Sequence, residues 1–124
     1  MNRDAPIMII GSDASFCYLM QRYVAQAAHP VCTANLGEDI VAVALRESPI
    51  AILLEADPPA NRSWTLLETL RAHAETRDIP ILFCGWHGEE EEGWRAGADG
   101  YLLKPILYHD FLEALMGIGV VAKL

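Results

Sequence analysis

Basic residues are scarce in this sequence. Lys and Arg number nine against seventeen Asp and Glu, for a formal net charge of −8 over 124 residues. Binding a phosphate backbone needs a basic face, so the balance argues against direct contact with nucleic acid. A basic protein partner or a bound cation stays compatible. Long apolar runs are also missing: none approaches the roughly 20 residues of a membrane span. The first residues, "MNRDAP", lack the apolar core and cleavage pattern of a secretory signal. Cysteine is sparse and odd in number. Cys17, Cys32 and Cys84 fit no zinc spacing, which predicts reduced, packed thiols in a cytoplasmic protein. His29, His73, His87 and His109 are scattered, none at ligand spacing to a cysteine or another histidine. There is no internal repeat, no linker, and no biased segment longer than Glu89–Glu92.

What is present is a core. The chain is 52% hydrophobic, and its length suits one domain spanning 1–124. Strand and helix patterns alternate five times. Apolar runs predict strands over Ile7–Ile10, Val31–Ala34, Ile50–Leu54, Ile79–Cys84 and Tyr101–Leu103, the second nearer an edge. Between them, helical spacing joins Phe16, Met20, Tyr23, Val24 and Ala27, and then Ile40, Val43 and Ala44 within Gly37–Arg46. Ser63 is the expected cap of a third helix carrying Leu66, Leu67 and Leu70. The segment "GEEEEGWRAGA" predicts a short helix that Gly97 ends. Phe111, Leu112 and Leu115 form the inner face of a last helix over Tyr108–Met116. Strands apolar on both faces, alternating with helices, make right-handed crossovers and a parallel sheet. The expected fold is α/β, a three-layer sandwich.

Ligands of such sheets bind beyond the carboxyl ends of the strands. The residues expected there are Gly11, Ser12 and Asp13, then Glu55 and Asp57, then Gly85, Trp86 and His87, and finally Lys104 and Pro105. A carboxylate and a lysine on nearby strand ends form the notable pair. Asp13 or Ser12 can equally cap a helix, Asp57 can start a turn, and Glu89–Glu92 reads best as a solvated face. Lys104 has no evident packing task.

Together "IMIIGSDASF", "SPIAILLEADPP", "IPILFCG" and "GADGYLLKPI" resemble the strand ends of a response-regulator receiver domain, over essentially the whole chain. The resemblance implies a flavodoxin-like five-stranded sheet of order 2-1-3-4-5. It also implies a signalling domain of a two-component phosphorelay, not an enzyme. Members of the family accept a phosphoryl group from a histidine kinase on an aspartate after strand three. An acidic pair after strand one helps hold Mg²⁺, and a Ser or Thr after strand four and a Lys contact the phosphoryl oxygens. Here Glu55 stands at the acceptor position, Gly11 and Ser12 at the acidic pair, and Gly85 at the hydroxyl. Lys104, Pro105 and the aromatic Tyr101 match. The pattern resembles a degenerate, or pseudo-receiver, domain. It implies a cis Lys104–Pro105 bond, and Mg²⁺ binding that is weak or absent, with Asp13 and Glu55 the remaining carboxylates. Partners would be a histidine kinase or an output domain. A homodimer would form through the fourth helix, fifth strand and fifth helix, where Trp94, Arg95, Tyr101, Tyr108 and His109 are expected.

Two other readings compete. One is a working phosphoacceptor that uses Asp57 or Asp13. The other is a flavin- or nucleotide-binding protein with "GSDAS" as a phosphate loop.

Overall fold

The computed structural model describes residues 5–58 and 60–121. Five parallel strands form one sheet of order β2-β1-β3-β4-β5. They are β1 (Ile7–Ile10), β2 (Val31–Ala34), β3 (Ala51–Glu55), β4 (Ile81–Gly85) and β5 (Gly100–Leu103). The helices are α1 (Ala14–Gln26), α2 (Ile40–Glu47), α3 (Arg62–Ala72), α4 (Glu90–Ala96) and α5 (Tyr108–Gly117). The expected strand order is therefore observed, with β2 at one edge and β5 at the other.

Alternation along the strands divides the core in two. Ile7, Ile9, Ala51, Leu53, Leu82 and Cys84 pack on one side, with Phe16, Met20 and Val24 of α1 and Phe111 and Leu115 of α5. Met8, Ile10, Ile52, Leu54, Ile81 and Phe83 pack on the other, with Ile40 and Val43 of α2 and Leu67 and Leu70 of α3. Each buried Leu, Ile or Phe contributes about 1.5–3 kcal/mol relative to exposure. The same alternation aims the strand ends. Glu55 shares parity with Ala51 and Leu53, so it points towards α1; Gly85 and Tyr101 share the opposite face with Phe83.

Several boundaries differ from expectation, for identifiable reasons. The second helix begins at Ile40, not Gly37, because Asp39 caps it by accepting the Ala42 N–H. Glu38 instead accepts the Asn35 N–H in the preceding turn. Strand three runs one residue further, to Glu55, since the Ala56 N–H continues the ladder to the Cys84 carbonyl. Pro80, which cannot donate, lies just outside β4, which begins at Ile81. Ser63 does not cap α3. It is buried in the first turn, where its hydroxyl donates to the Glu55 carbonyl, while Asp57 accepts the Ser63 N–H at 2.9 Å. Leu66 is only half-buried, unlike Leu67 and Leu70.

Arg71 ties the loops on the amino-terminal side of the sheet. Its guanidinium donates to the carbonyls of Gly97, Arg77 and Ile79, and to the Asp99 carboxylate. Asp99 also accepts the Ile81 N–H at 2.8 Å. Arg71→Ala is expected to cost about 1–3 kcal/mol by urea denaturation, because it strands several carbonyls. Arg95→Ala, which loses only an exposed pair with Glu91, is expected to cost under about 0.5 kcal/mol. Equal effects would contradict this.

The three cysteines are free. Burial pushes the Cys32 thiol up to about 11 and the fully buried Cys84 thiol higher still. Cys17 is also raised, first by burial and then by Glu55 and Asp13. A thiolate is the reacting form, so labelling by a disulfide reagent at neutral pH is expected to be slow until the chain is denatured. A thiol that reacts in the native protein at the rate of free cysteine would overturn this.

Candidate functional site

At the carboxyl edge of the sheet, Glu55 ends the central strand with only 4% of its surface exposed. A carboxylate in that position needs full compensation. Lys104, one of two lysines in the chain, donates from Nζ to Oε2 at 2.6 Å. The other oxygen, Oε1, accepts the N–H groups of Ser12 and Asp13 at 3.1 and 3.2 Å. The side chains of the pair are 5% and 16% exposed, so the ion pair is more deeply buried than the partly exposed contact that strand ends suggest.

The lysine is enclosed from the outside as well. Its ammonium lies 5.1 Å from the Phe16 ring centre and 5.8 Å from that of Trp86, within cation–π range. The Lys104–Pro105 bond is cis, and the Lys104 N–H donates to the Gly85 carbonyl. Two hollows adjoin here. A polar cleft of about 440 Å³ is bounded by Ser12, Glu55, Asp57, Arg62, Glu89 and Lys104. An apolar one of about 240 Å³ is bounded by Phe16, Leu19, Trp86, Pro105 and Ile106.

The glycines of the site are matched to its acids. A Cβ added at position 11 would stand 2.6 Å from Glu55 Oε1 and 3.1 Å from Phe16 Cδ2. One added at position 85 would strike Glu89 Oε1, and would lie 2.7 Å from the Tyr101 hydroxyl. Glu89 is therefore not part of a purely solvated acidic face. Its carboxylate turns back to accept the Trp86 N–H at 2.8 Å. Only its position three residues after the tryptophan, at the approach to a helix, hinted at this.

The remaining candidates are arranged as follows. Asp13 caps α1, accepting the Phe16 N–H at 2.8 Å. Ser12 supplies a backbone N–H to Glu55. Asp57 lines the cleft but is bound to Arg62 Nε at 2.9 Å and to the Ser63 N–H. Tyr101 packs against Phe83 with the rings tilted and their centres 6.0 Å apart, and donates to the Trp86 carbonyl at 2.9 Å. Trp94 is half-exposed on α4. Tyr108 packs on Tyr23 of α1 and on Phe111 of its own helix. Arg95 pairs with Glu91, and His109 lies 3.2 Å from Glu113. Among the described residues, no three or more His, Cys, Asp or Glu gather as a metal set. Within "GSDAS" the Ser12 and Asp13 amides are held by Glu55, and the Asp13 carboxylate accepts the amide of Phe16 just beyond it.

The arrangement has relatives of known kind. The chain is 27% identical to the protein PilH of Pseudomonas aeruginosa over 117 residues, covering 92% of this chain and 97% of PilH. It is 30% identical to the DNA-binding dual master transcriptional regulator RpaA of Synechocystis over 115 residues, 90% of this chain but 48% of RpaA. Among solved structures it superposes on the receiver domain of the sensor histidine kinase PA1611 of Pseudomonas aeruginosa with a TM-score of 0.81. There the identity is 21%, over 93% of this chain and 98% of that one. On the chemotaxis response regulator CheY4 of Vibrio cholerae the TM-score is 0.80 at 21% identity, over 92% and 98%. The fold is that of a response-regulator receiver domain. Both sequence relatives align over nine-tenths or more of this chain. No protein-family model matches the chain. Among the described residues, no helix is long and apolar enough to cross a membrane.

Removing the lysine tests the central pair. Lys104→Met is expected to cost about 3 kcal/mol, because it leaves a buried carboxylate with amide donors alone. Gly11→Ala is expected to cost about 1–3 kcal/mol through overpacking. Glu55→Ala in the same chain should remove most of that second cost, and strictly additive effects in urea denaturation would refute the close approach.

Proposed function

We propose that this receiver domain signals through protein contacts, without a phosphorylation cycle. The observation that carries the reading is Glu55, whose two carboxylate oxygens are already committed to Lys104 and to the Ser12 and Asp13 amides. Phosphoryl transfer is mostly a matter of positioning, and a shift of about 1 Å can cost on the order of a hundredfold. Glutamate is one methylene longer than the aspartate of the family, and its carboxylate fills the space beside Gly11.

Magnesium fits these residues poorly. It demands near-octahedral oxygen ligands, usually with one or two fixed carboxylates. Gly11 has no side chain, Ser12 is neutral, and Asp13 caps its helix. The PA1611 receiver domain is described with magnesium coordinated in its active-site cleft. Here Mg²⁺ binding is weak or absent, no cofactor is used, and the domain is not itself an enzyme.

The partners in this reading are proteins: a histidine kinase, an output domain, or a second copy through the α4–β5–α5 face. Leu103 and Trp94 are 44% and 52% exposed on β5 and α4, and such aromatic and apolar groups are favoured at interfaces. Nucleic acid is not a direct partner, and the setting is cytoplasmic. The chain spans about half the length of RpaA and nearly all of PilH.

The test is intact mass after incubation with acetyl phosphate and Mg²⁺. The expected result is no added phosphoryl group. An added group, mapped by peptide digestion to Asp57 or Asp13, would establish the phosphoacceptor reading instead. Glu55→Gln keeps size and removes charge; it is expected to alter the Tyr101 signals in NMR and to weaken partner binding.

A further inference from the structure

The geometry points to Glu89 as a second built-in carboxylate, one that holds the β4–α4 turn and Tyr101 in place around Gly85. Three hydrogen bonds converge on this turn. Glu89 Oε1 accepts the Trp86 N–H at 2.8 Å. The Trp86 carbonyl accepts in return the Glu89 N–H at 3.2 Å and the Tyr101 hydroxyl at 2.9 Å. A Cβ at position 85 would collide with the Glu89 carboxylate and stand 2.7 Å from the Tyr101 hydroxyl. Both groups therefore occupy the space that a side chain at position 85 would fill.

The consequence reaches the buried pair. Trp86 is the residue whose backbone Glu89 and Tyr101 grip from both sides, and its indole lies 5.8 Å from the Lys104 ammonium. Glu89 thus acts on Lys104 through Trp86, as a positioning residue. The turn is braced further by Glu90, which accepts the Gly88 N–H at 2.6 Å. Gly88 has φ +102°, a left-handed value that favours glycine.

This inference deepens the phosphorylation-independent reading, because it names what fixes Tyr101 when no phosphoryl group is present. It nevertheless has its own test. Glu89→Ala, Glu89→Gln and Gly85→Ser are compared with the parent protein by NMR. The readouts are the Trp86 amide exchange rate and the Tyr101 ring signals. Glu89→Ala is expected to speed Trp86 amide exchange about fivefold to tenfold, as for a lost hydrogen bond of ordinary strength, and to shift the Tyr101 signals. Glu89→Gln keeps an oxygen that can accept, and should restore both readouts. Gly85→Ser should displace Tyr101 in the parent but much less in a chain that also carries Glu89→Ala, because the space is then vacant. Unchanged exchange and Tyr101 signals in Glu89→Ala would overturn the inference. So would a Glu89→Gln variant that behaves like Glu89→Ala, or a Gly85→Ser effect independent of residue 89. Intact mass after acetyl phosphate treatment of the parent reads the phosphorylation question separately, so either idea can fail without the other.

Discussion

A carboxylate buried at the end of the central strand must be neutralised from within, and much of the site's geometry answers that demand. Desolvating a charge costs several kcal/mol, and only close, well-directed partners offset it. Glu55 has them: a lysine on one oxygen and two backbone amides on the other. The amides belong to the turn leading into α1, so the pair also fixes where that helix starts. The lysine belongs to the turn between β5 and α5. One side chain therefore ties three separate strand ends together, and position 11 can carry no Cβ without striking it.

The strand-and-helix order was legible because its signals are local and redundant. Apolar runs of four or five residues, separated by helical spacing, leave little choice for a parallel sheet. Even the edge position of the more polar β2 followed from its composition. What misled was the chemistry of single polar residues. Ser63 looks like a cap in sequence, but Asp57 accepts its N–H and the serine hydroxyl turns to β3. Asp39 stops α2 from starting at Gly37 because a side chain that bonds the Ala42 N–H sets the cap there. Such choices depend on which acceptor the tertiary fold brings near, and the sequence does not state that.

The site was legible in outline and hidden in depth. The pairing of Glu55 with Lys104 could be anticipated from two strand ends that flank one cleft. Its burial could not, because the cover comes from the rings of Phe16 and Trp86, and only the folded chain sets these over the lysine. Glu89 was harder still. In a run of four glutamates each looks solvated, and only the folded turn singles out the one whose oxygen returns to the Trp86 amide. Glycine gave the weakest signal of all. Gly11 and Gly85 read as lost side chains, whereas the structure makes them the space that two longer acids occupy.

A phosphoryl group on a side chain carries about −1.5 to −2 charges and three acceptor oxygens. Glu55 offers one charge and two oxygens, and both oxygens are spent on Lys104 and the α1 turn. Nothing remains for the neighbourhood of Gly85, where a separate carboxylate, Glu89, is in contact with the turn instead. A switch needs an input that binds one state better than another. In the reading proposed above the charge is part of the chain, and no kinase supplies that difference by adding or removing it. In the proposed reading the difference comes from the partner itself, through contacts that favour or oppose this arrangement of Trp86 and Tyr101. Moving such an equilibrium from 1:99 to 99:1 requires about 5.5 kcal/mol of differential binding. That is more than a rim ion pair provides and within reach of a buried aromatic anchor. The exposed indole of Trp86, gripped at its backbone and resting over the lysine, is the group through which a partner could exert it.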